Sequence, residues 1–181
     1  MPEGKVYDGP ARLHFDGYAT DKAGVPTFRY HLTAGDDTVR VSERATALRS
    51  TAGVGVKRRF NLEIPADQNV WLRVGESARA PRLLNSKGEP LSLDLKTGKA
   101  EMPAAGRVLA LPQDGNRVVL LTLGTALDKG TWRVEKHGPT WQVLLHVPAS
   151  AASAKVQIDF NVWAPYRDDP ALLRAVLDAR K

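Results

Sequence analysis

The stretch VGVKRRFNLEI, residues 54 to 64, alternates with period two almost without interruption. Val54, Val56, Phe60, Leu62 and Ile64 share one parity, and Lys57, Arg59, Asn61 and Glu63 share the other. Only Arg58 is polar on the apolar side. Successive side chains of a strand point to opposite faces, whereas a helix repeats every 3.6 residues. This pattern therefore predicts a half-buried strand and excludes a helix over its length.

The same period recurs along the chain. Leu13 and Phe15 oppose Arg12, His14 and Asp16. Phe28, Tyr30 and Leu32 oppose Arg29 and His31, and Val39 and Val41 alternate with polar neighbours. Further runs cover residues 70–74, 107–111 and 117–123, then Trp132 with Val134, Trp141 with Val143, Leu145 and Val147, and Val156 with Ile158, Phe160 and Val162. A weaker run surrounds Leu91, Leu93 and Leu95. Turn signals separate the runs: Ala34-Gly35-Asp36-Asp37, Ser86-Lys87-Gly88, Thr97-Gly98-Lys99, Gln113-Asp114-Gly115-Asn116, Asp128-Lys129-Gly130 and His137-Gly138-Pro139. About ten short strands joined by tight turns predict an all-β fold, an antiparallel β-sandwich, with no alternating helices to build a parallel sheet. Residues 117–123 with 131–136, and 132–136 with 141–147, are the expected hairpins. Residues 75–103 carry Pro81, Pro90 and Pro103 and predict an irregular excursion over the sheet.

The chain ends differently. Asp168-Asp169-Pro170 supplies an acidic cap and a first-turn proline, and Leu172, Leu173, Val176 and Leu177 form a stripe. We therefore divide the chain into a β-sandwich domain, residues 1–166, and a C-terminal helix within 167–181. The stripe packs either on its own domain or on a partner domain.

Composition removes several chemistries. With no cysteine, disulfides, thiolate nucleophiles and cysteine metal sites are excluded. No apolar run approaches the roughly 18 residues of a membrane span, and MPEGKVYDGP holds no apolar signal core. The 26 basic and 20 acidic residues are interspersed, with Lys57-Arg58-Arg59 the one tight basic cluster. That distribution argues against a nucleic-acid partner, which calls for charge concentrated on one face.

No nucleophile elbow, phosphate-binding loop or dinucleotide fingerprint is present, and no cofactor is expected. The pairs Asp36-Asp37 and Asp168-Asp169 sit at a turn and a helix cap, which account for them without catalysis. Of the four histidines, His14 and His31 fall on the polar faces of neighbouring strands, near Asp16. They form either an acid–base or metal site, or two surface histidines; no metal motif spacing is present. Trp71, Trp132 and Trp141 share parity or neighbourhood with apolar residues and read as core. Trp163 lies opposite in parity to Phe160 and Val162, and with Tyr166 it is the candidate exposed aromatic patch. The candidate binding residues are thus Trp163, Tyr166, His31, Arg29 and His14, with no catalytic residue assigned.

The phrase FDGYATDKAGVPTFRYHL, then GVKRRFNLEI and VWLRVG, resembles a β-rich accessory region of large exported planctomycete-type proteins. There it accompanies c-type cytochrome domains and sugar-dehydrogenase-like propellers. The matching residues here are Phe15, Gly17, Tyr18, Asp21, Gly24, Pro26, Phe28 and Tyr30, then Val56, Arg58 and Phe60, then Trp71. The likeness covers about the first 75 residues and transfers no catalytic residue. It implies a periplasmic or extracellular accessory domain of a larger redox protein.

These readings converge on a non-catalytic binding or interaction module whose ligand is carbohydrate or a partner protein domain. The rivals are a carbohydrate-active enzyme with carboxylates and histidines on an open sheet face, and a structural spacer. Tyr18, Phe28 and Tyr30 are expected to be hairpin architecture, with Arg29 and His31 on the outward side.

Overall fold

The computed structural model describes residues 12–124 and 129–179. The N-terminal segment 1–11, the first residue of the Asp128-Lys129-Gly130 turn and the last two residues lie outside them. Of the described residues 62% are strand and 5% helix, arranged as two antiparallel sheets and one short helix. This is the all-β, sandwich-like architecture that the alternation predicts.

In chain order the strands are β1 (Arg12–Thr20), β2 (Pro26–Ala34), β3 (Asp37–Ser50), β4 (Gly53–Ile64), β5 (Val70–Ser77), β6 (Arg82–Asn85) and β7 (Pro90–Leu91). Then follow β8 (Lys99–Pro103), β9 (Arg107–Pro112), β10 (Val118–Leu123), β11 (Thr131–His137), β12 (Thr140–Val147) and β13 (Ala154–Pro165), and the helix α1 (Pro170–Asp178). The large sheet runs β1-β2-β3-β4-β13-β10-β9-β6-β7, and the small one β5-β12-β11-β8. The last long strand, β13, inserts between β4 and β10, so the two halves of the large sheet are joined by a residue run from the far end of the chain.

The main core lies between the sheets. Leu62, Phe60, Ile158, Phe160, Leu109, Leu111 and Leu121 from the large sheet meet Trp132, Val134, Val143 and Leu145 from the small one. The edge-on contact of Phe60 with Phe160, centroids 5.6 Å apart, marks the middle of this layer. A second core lies on the reverse of the large sheet. There α1 lays Leu173, Val176 and Leu177 over Trp163, Leu120, Val118, Val108 and Ala110. Asp169 caps the helix by accepting the Ala171 and Leu172 amides at 2.9 and 3.2 Å, directly ahead of Pro170. The apolar stripe of α1 is therefore covered by its own sheet.

Two connections differ from the sequence expectation. Residues 117–123 do not pair with 131–136: β10 sits between β13 and β9, whereas β11 lies in the small sheet between β12 and β8. Alternation fixes which side chains share a face but is indifferent to which sheet a strand joins. The β11–β12 hairpin does form, closed around Gly138 at φ 59°. Residues 75–103 are not a loose excursion either. They finish β5 and contribute β6, β7 and β8, short strands that extend both sheets.

Candidate functional site

β1 to β4 form a wing of the large sheet, and its two faces have opposite chemistry. One face continues the main core. In register, Phe15 lies opposite Tyr30, Tyr30 opposite Val41, and Val41 opposite Leu62. Along that row exposure rises from 1% at Leu62 and 3% at Val41 to 65% at Phe15. The next row, Phe60, Glu43, Phe28 and Tyr18, behaves alike, from 4% at Phe60 to 66% at Tyr18. Leu13, Val54 and Val56 extend the same face and are also exposed. The main core closes this face over Phe60, Leu62 and Ile64 of β4 and over β13, and leaves the start of β4 and the aromatics of β1 and β2 open.

A bulge makes the face continuous. The β1–β2 register shifts between Phe15 and Gly17, and Gly17 takes φ 104°, a conformation that glycine reaches without strain. Without the extra residue Tyr18 would point to the other side. With it, Tyr18 stands beside Phe28, ring centroids 6.1 Å apart, as cross-strand aromatic pairing.

The polar groups within the apolar field, Arg58, Glu43 and Tyr30, are satisfied by one another. Arg58 donates from Nε to Glu43 Oε1 at 2.7 Å and lies 4.9 Å above the Phe60 ring. Tyr30 donates to Glu43 Oε2 at 3.3 Å. Burial, and then the Glu43 carboxylate, push the Tyr30 phenol up to about 12. The lone break in the sequence alternation, Arg58, is thus the counter-ion of Glu43 on the adjacent strand.

The reverse face of the wing is polar. His14 lies opposite His31 and stacks on it, centroids 4.7 Å apart. His31 Nδ1 lies 2.8 Å from the Asp16 carboxylate, which the bulge presents there. In the β1–β2 loop Asp21 accepts the Ala23 and Val25 amides at 2.9 and 3.0 Å and pairs with Arg44. The Val25 amide, with lesser help from the others, holds the Asp21 carboxyl below its ordinary value. Arg59 forks onto Asp159 at 2.8 and 2.9 Å, and Lys57 reaches the same carboxylate at 3.1 Å. The Arg59 hydrogen bonds outweigh burial and hold Asp159 below the usual carboxylate range. Asn61 donates to Ser42 at 3.2 Å.

Shallow basins lie on this polar face. One, of about 320 Å³, is lined by Arg44, Thr46, Lys57 and Arg59. Its neighbour, of about 240 Å³, is lined by Asp16, Arg29, Arg40, Ser42, Asn61 and Glu63, with the backbone side of Tyr30 and Val41.

A third cluster sits on the outer face of the small sheet. Arg133 lies 3.6 Å from the Trp71 ring, and Trp71 stacks on His146 at 4.3 Å. Glu101 accepts Arg133 Nε at 2.8 Å, and Asn69 holds His146 Nε2 at 2.8 Å. Burial, then the Arg133 charge, lower His146 below its ordinary value.

The structure brings together three of the five candidate binding residues. His14, His31 and Arg29 share the polar wing face. Trp163 does not belong with them: it is 2% exposed, beneath α1. Its parity does oppose Phe160, as expected, but that side of the sheet is covered by the helix. Tyr166, past the end of β13, is 61% exposed, and its amide donates to the Ala52 carbonyl at the β3–β4 turn at 3.1 Å. Trp132 is fully buried and Trp141 packs against the main core, whereas Trp71 faces outward, because Val70, Leu72 and Val74 take the inward positions of β5. Among the described residues no group of three or more His, Asp or Glu could hold a metal ion, and no helix is long and apolar enough to cross a membrane.

Comparison with protein-family models and with curated proteins finds no match. Among solved structures, the α-galactosidase from Lactobacillus brevis aligns with a TM-score of 0.48 and 11% identity over 91% of this chain. The GH36 α-galactosidase AgaA from Geobacillus stearothermophilus aligns at 0.45 and 12% over 87%. In both cases the chain spans 28% of the length of the other protein.

Proposed function

We propose that this chain is a non-catalytic docking module, and that the open apolar face of the β1–β4 wing seats a partner protein domain. The observation that carries this is the cross-strand row from Leu62 to Phe15, buried at one end and 65% exposed at the other. An exposed field of Leu13, Phe15, Tyr18 and Phe28, with Val54 and Val56 further along the same face, costs solvation free energy unless something covers it. The face is continuous with the one the small sheet already buries, so a further apolar protein layer completes the same interface. A sugar fits it less well. Leu13, Val54 and Val56 offer no hydrogen bonds, and the polar groups in the field, Glu43, Arg58 and Tyr30, are engaged with one another. The resemblance to exported redox proteins makes a domain of such a protein the natural occupant, in a periplasmic or extracellular setting.

Once a partner has been trapped at this face, the purified pair provides the test. The double variant Phe15→Ser/Phe28→Ser should weaken association by at least about tenfold, as expected when buried aromatic anchors are lost. Unchanged affinity would reject the face as the interface.

A further inference from the structure

The polar face of the wing is not used by that docking, and its arrangement is specific. Four lateral rows follow one another along β3 and β4: Arg40 with Glu63, Ser42 with Asn61, Arg44 with Arg59, and Thr46 with Lys57. Alternate residues of a strand lie about 6.7 Å apart, so these rows extend over roughly 20 Å. Arg44 and Arg59 stand directly opposite one another, a like-charge pairing that destabilises a sheet. Both are held rather than splayed, Arg44 by Asp21 and Arg59 by the buried Asp159. Lys57 shares Asp159, which leaves that pair of cations with one carboxylate. Arg29 and Arg40, which line the second basin, make no ion pair among the described residues.

The lining of the first basin consists wholly of side chains that donate hydrogen bonds, three of them cationic. The second mixes two guanidinium groups with Ser42, Asn61 and the carboxylates Asp16 and Glu63. Donor forks recognise carboxylate and sulfate oxygens, while carboxylates, amides and hydroxyls pair with sugar hydroxyls. A nucleic acid would find only the His14–His31 pair to stack on here, because the exposed aromatics Phe15, Tyr18 and Phe28 all lie on the opposite face. From this geometry we infer that the two basins together bind an acidic saccharide chain, its anionic groups on Arg44, Lys57 and Arg59 and its hydroxyls in the Arg29–Arg40 basin.

The anionic group has two chemical sources, a uronate carboxylate or a sulfate ester, and separate probes distinguish them. The whole chain is titrated calorimetrically with oligogalacturonate, with dextran sulfate, with neutral dextran and with single-stranded DNA, at about 50 and 200 mM salt. Saturable binding is expected for oligogalacturonate, dextran sulfate or both, at least about tenfold tighter than for neutral dextran. The variant Arg29→Gln/Arg40→Gln breaks no ion pair and loses only the attraction of Arg40 for Glu63 across the strands, so its thermal midpoint should change little while affinity falls about tenfold. Arg44→Gln should act in the same direction. Phe15→Ser/Phe28→Ser should leave saccharide binding intact, which separates this site from the docking face. The inference is overturned if neither acidic saccharide binds, if DNA binds as tightly, if the arginine variants bind like the parent, or if the phenylalanine variant loses the ligand.

Discussion

Phe15 and Leu62 occupy one cross-strand row of a single sheet, three strands apart, and are 65% and 1% exposed. The same sheet face therefore serves as core at one end and as open surface at the other. Leu62→Ala should cost about 2–5 kcal/mol, the range for a large-to-small change in a closed core. Phe15→Ser should change stability by no more than about 0.5 kcal/mol, as for an exposed position. Urea denaturation of the two variants checks the contrast, and equal losses would mean that the wing is covered within the chain itself.

Trp163 is a packing residue. It lies opposite Gly55, and a Cβ at that glycine would sit 2.8 Å from the indole Cε3 and 2.6 Å from the Val162 carbonyl oxygen. Gly55→Ala should destabilise by about 1–3 kcal/mol through overpacking. Trp163→Ala should cost about 3–5 kcal/mol by opening a cavity under α1, with ligand affinity of the folded fraction unchanged. Denaturation and binding measured on the same preparation separate the two effects.

The helix belongs to the fold. Its residues Leu173, Val176 and Leu177 are buried against Trp163 and Leu120, and each contributes about 1.5–3 kcal/mol if fully buried. Deleting residues 168–181 should strongly destabilise the sandwich or prevent its folding. Asp169→Ala should cost only about 1 kcal/mol, the worth of the cap. A deletion variant with an unaltered thermal midpoint would contradict this.

Two groups give the stability a pH signature. The Tyr30 phenol is raised to about 12, so between roughly pH 10 and 12 the unfolded chain releases this proton while the folded one keeps it. Stability should fall across that window, and absorbance at 295 nm should show one late-titrating tyrosine that Tyr30→Phe removes. His146 is shifted the other way. Its folded form resists protonation, so stability should decline as pH falls through the ordinary histidine value of about 6.5. His146→Gln should flatten that part of the acid limb.

Much of the fold was legible because period two is a local property. Every residue from Val54 to Ile64 points as its parity demands, and Phe28, Tyr30 and Leu32 do as well. What parity does not encode is what covers each face. Trp163 was correctly placed opposite Phe160, yet it is buried, because α1 arrives on that side from the chain's end. The pairing of Tyr18 with Phe28 across the hairpin was legible, but the face Tyr18 takes was not, because it depends on the bulge at Gly17, which shifts the register after Phe15. The approach of His14, His31 and Asp16 was legible, since adjacent hairpin strands place matched polar positions side by side. The cationic rows were not, because Arg44 and Arg59 are neighbours only through strand pairing, and Asp159 reaches Arg59 from 100 residues away.

The adjacent residues Phe28 and Arg29 project from opposite faces of β2, and this offers the most direct test of the docking surface. A photo-crosslinking phenylalanine analogue would be placed at each position in turn, in the native host. At Phe28 it should yield one reproducible adduct with a different protein domain, which the analogue at Arg29 does not form. Adducts of equal yield from both positions, adducts only between copies of this chain, or none from Phe28, would contradict a partner-docking face on the wing.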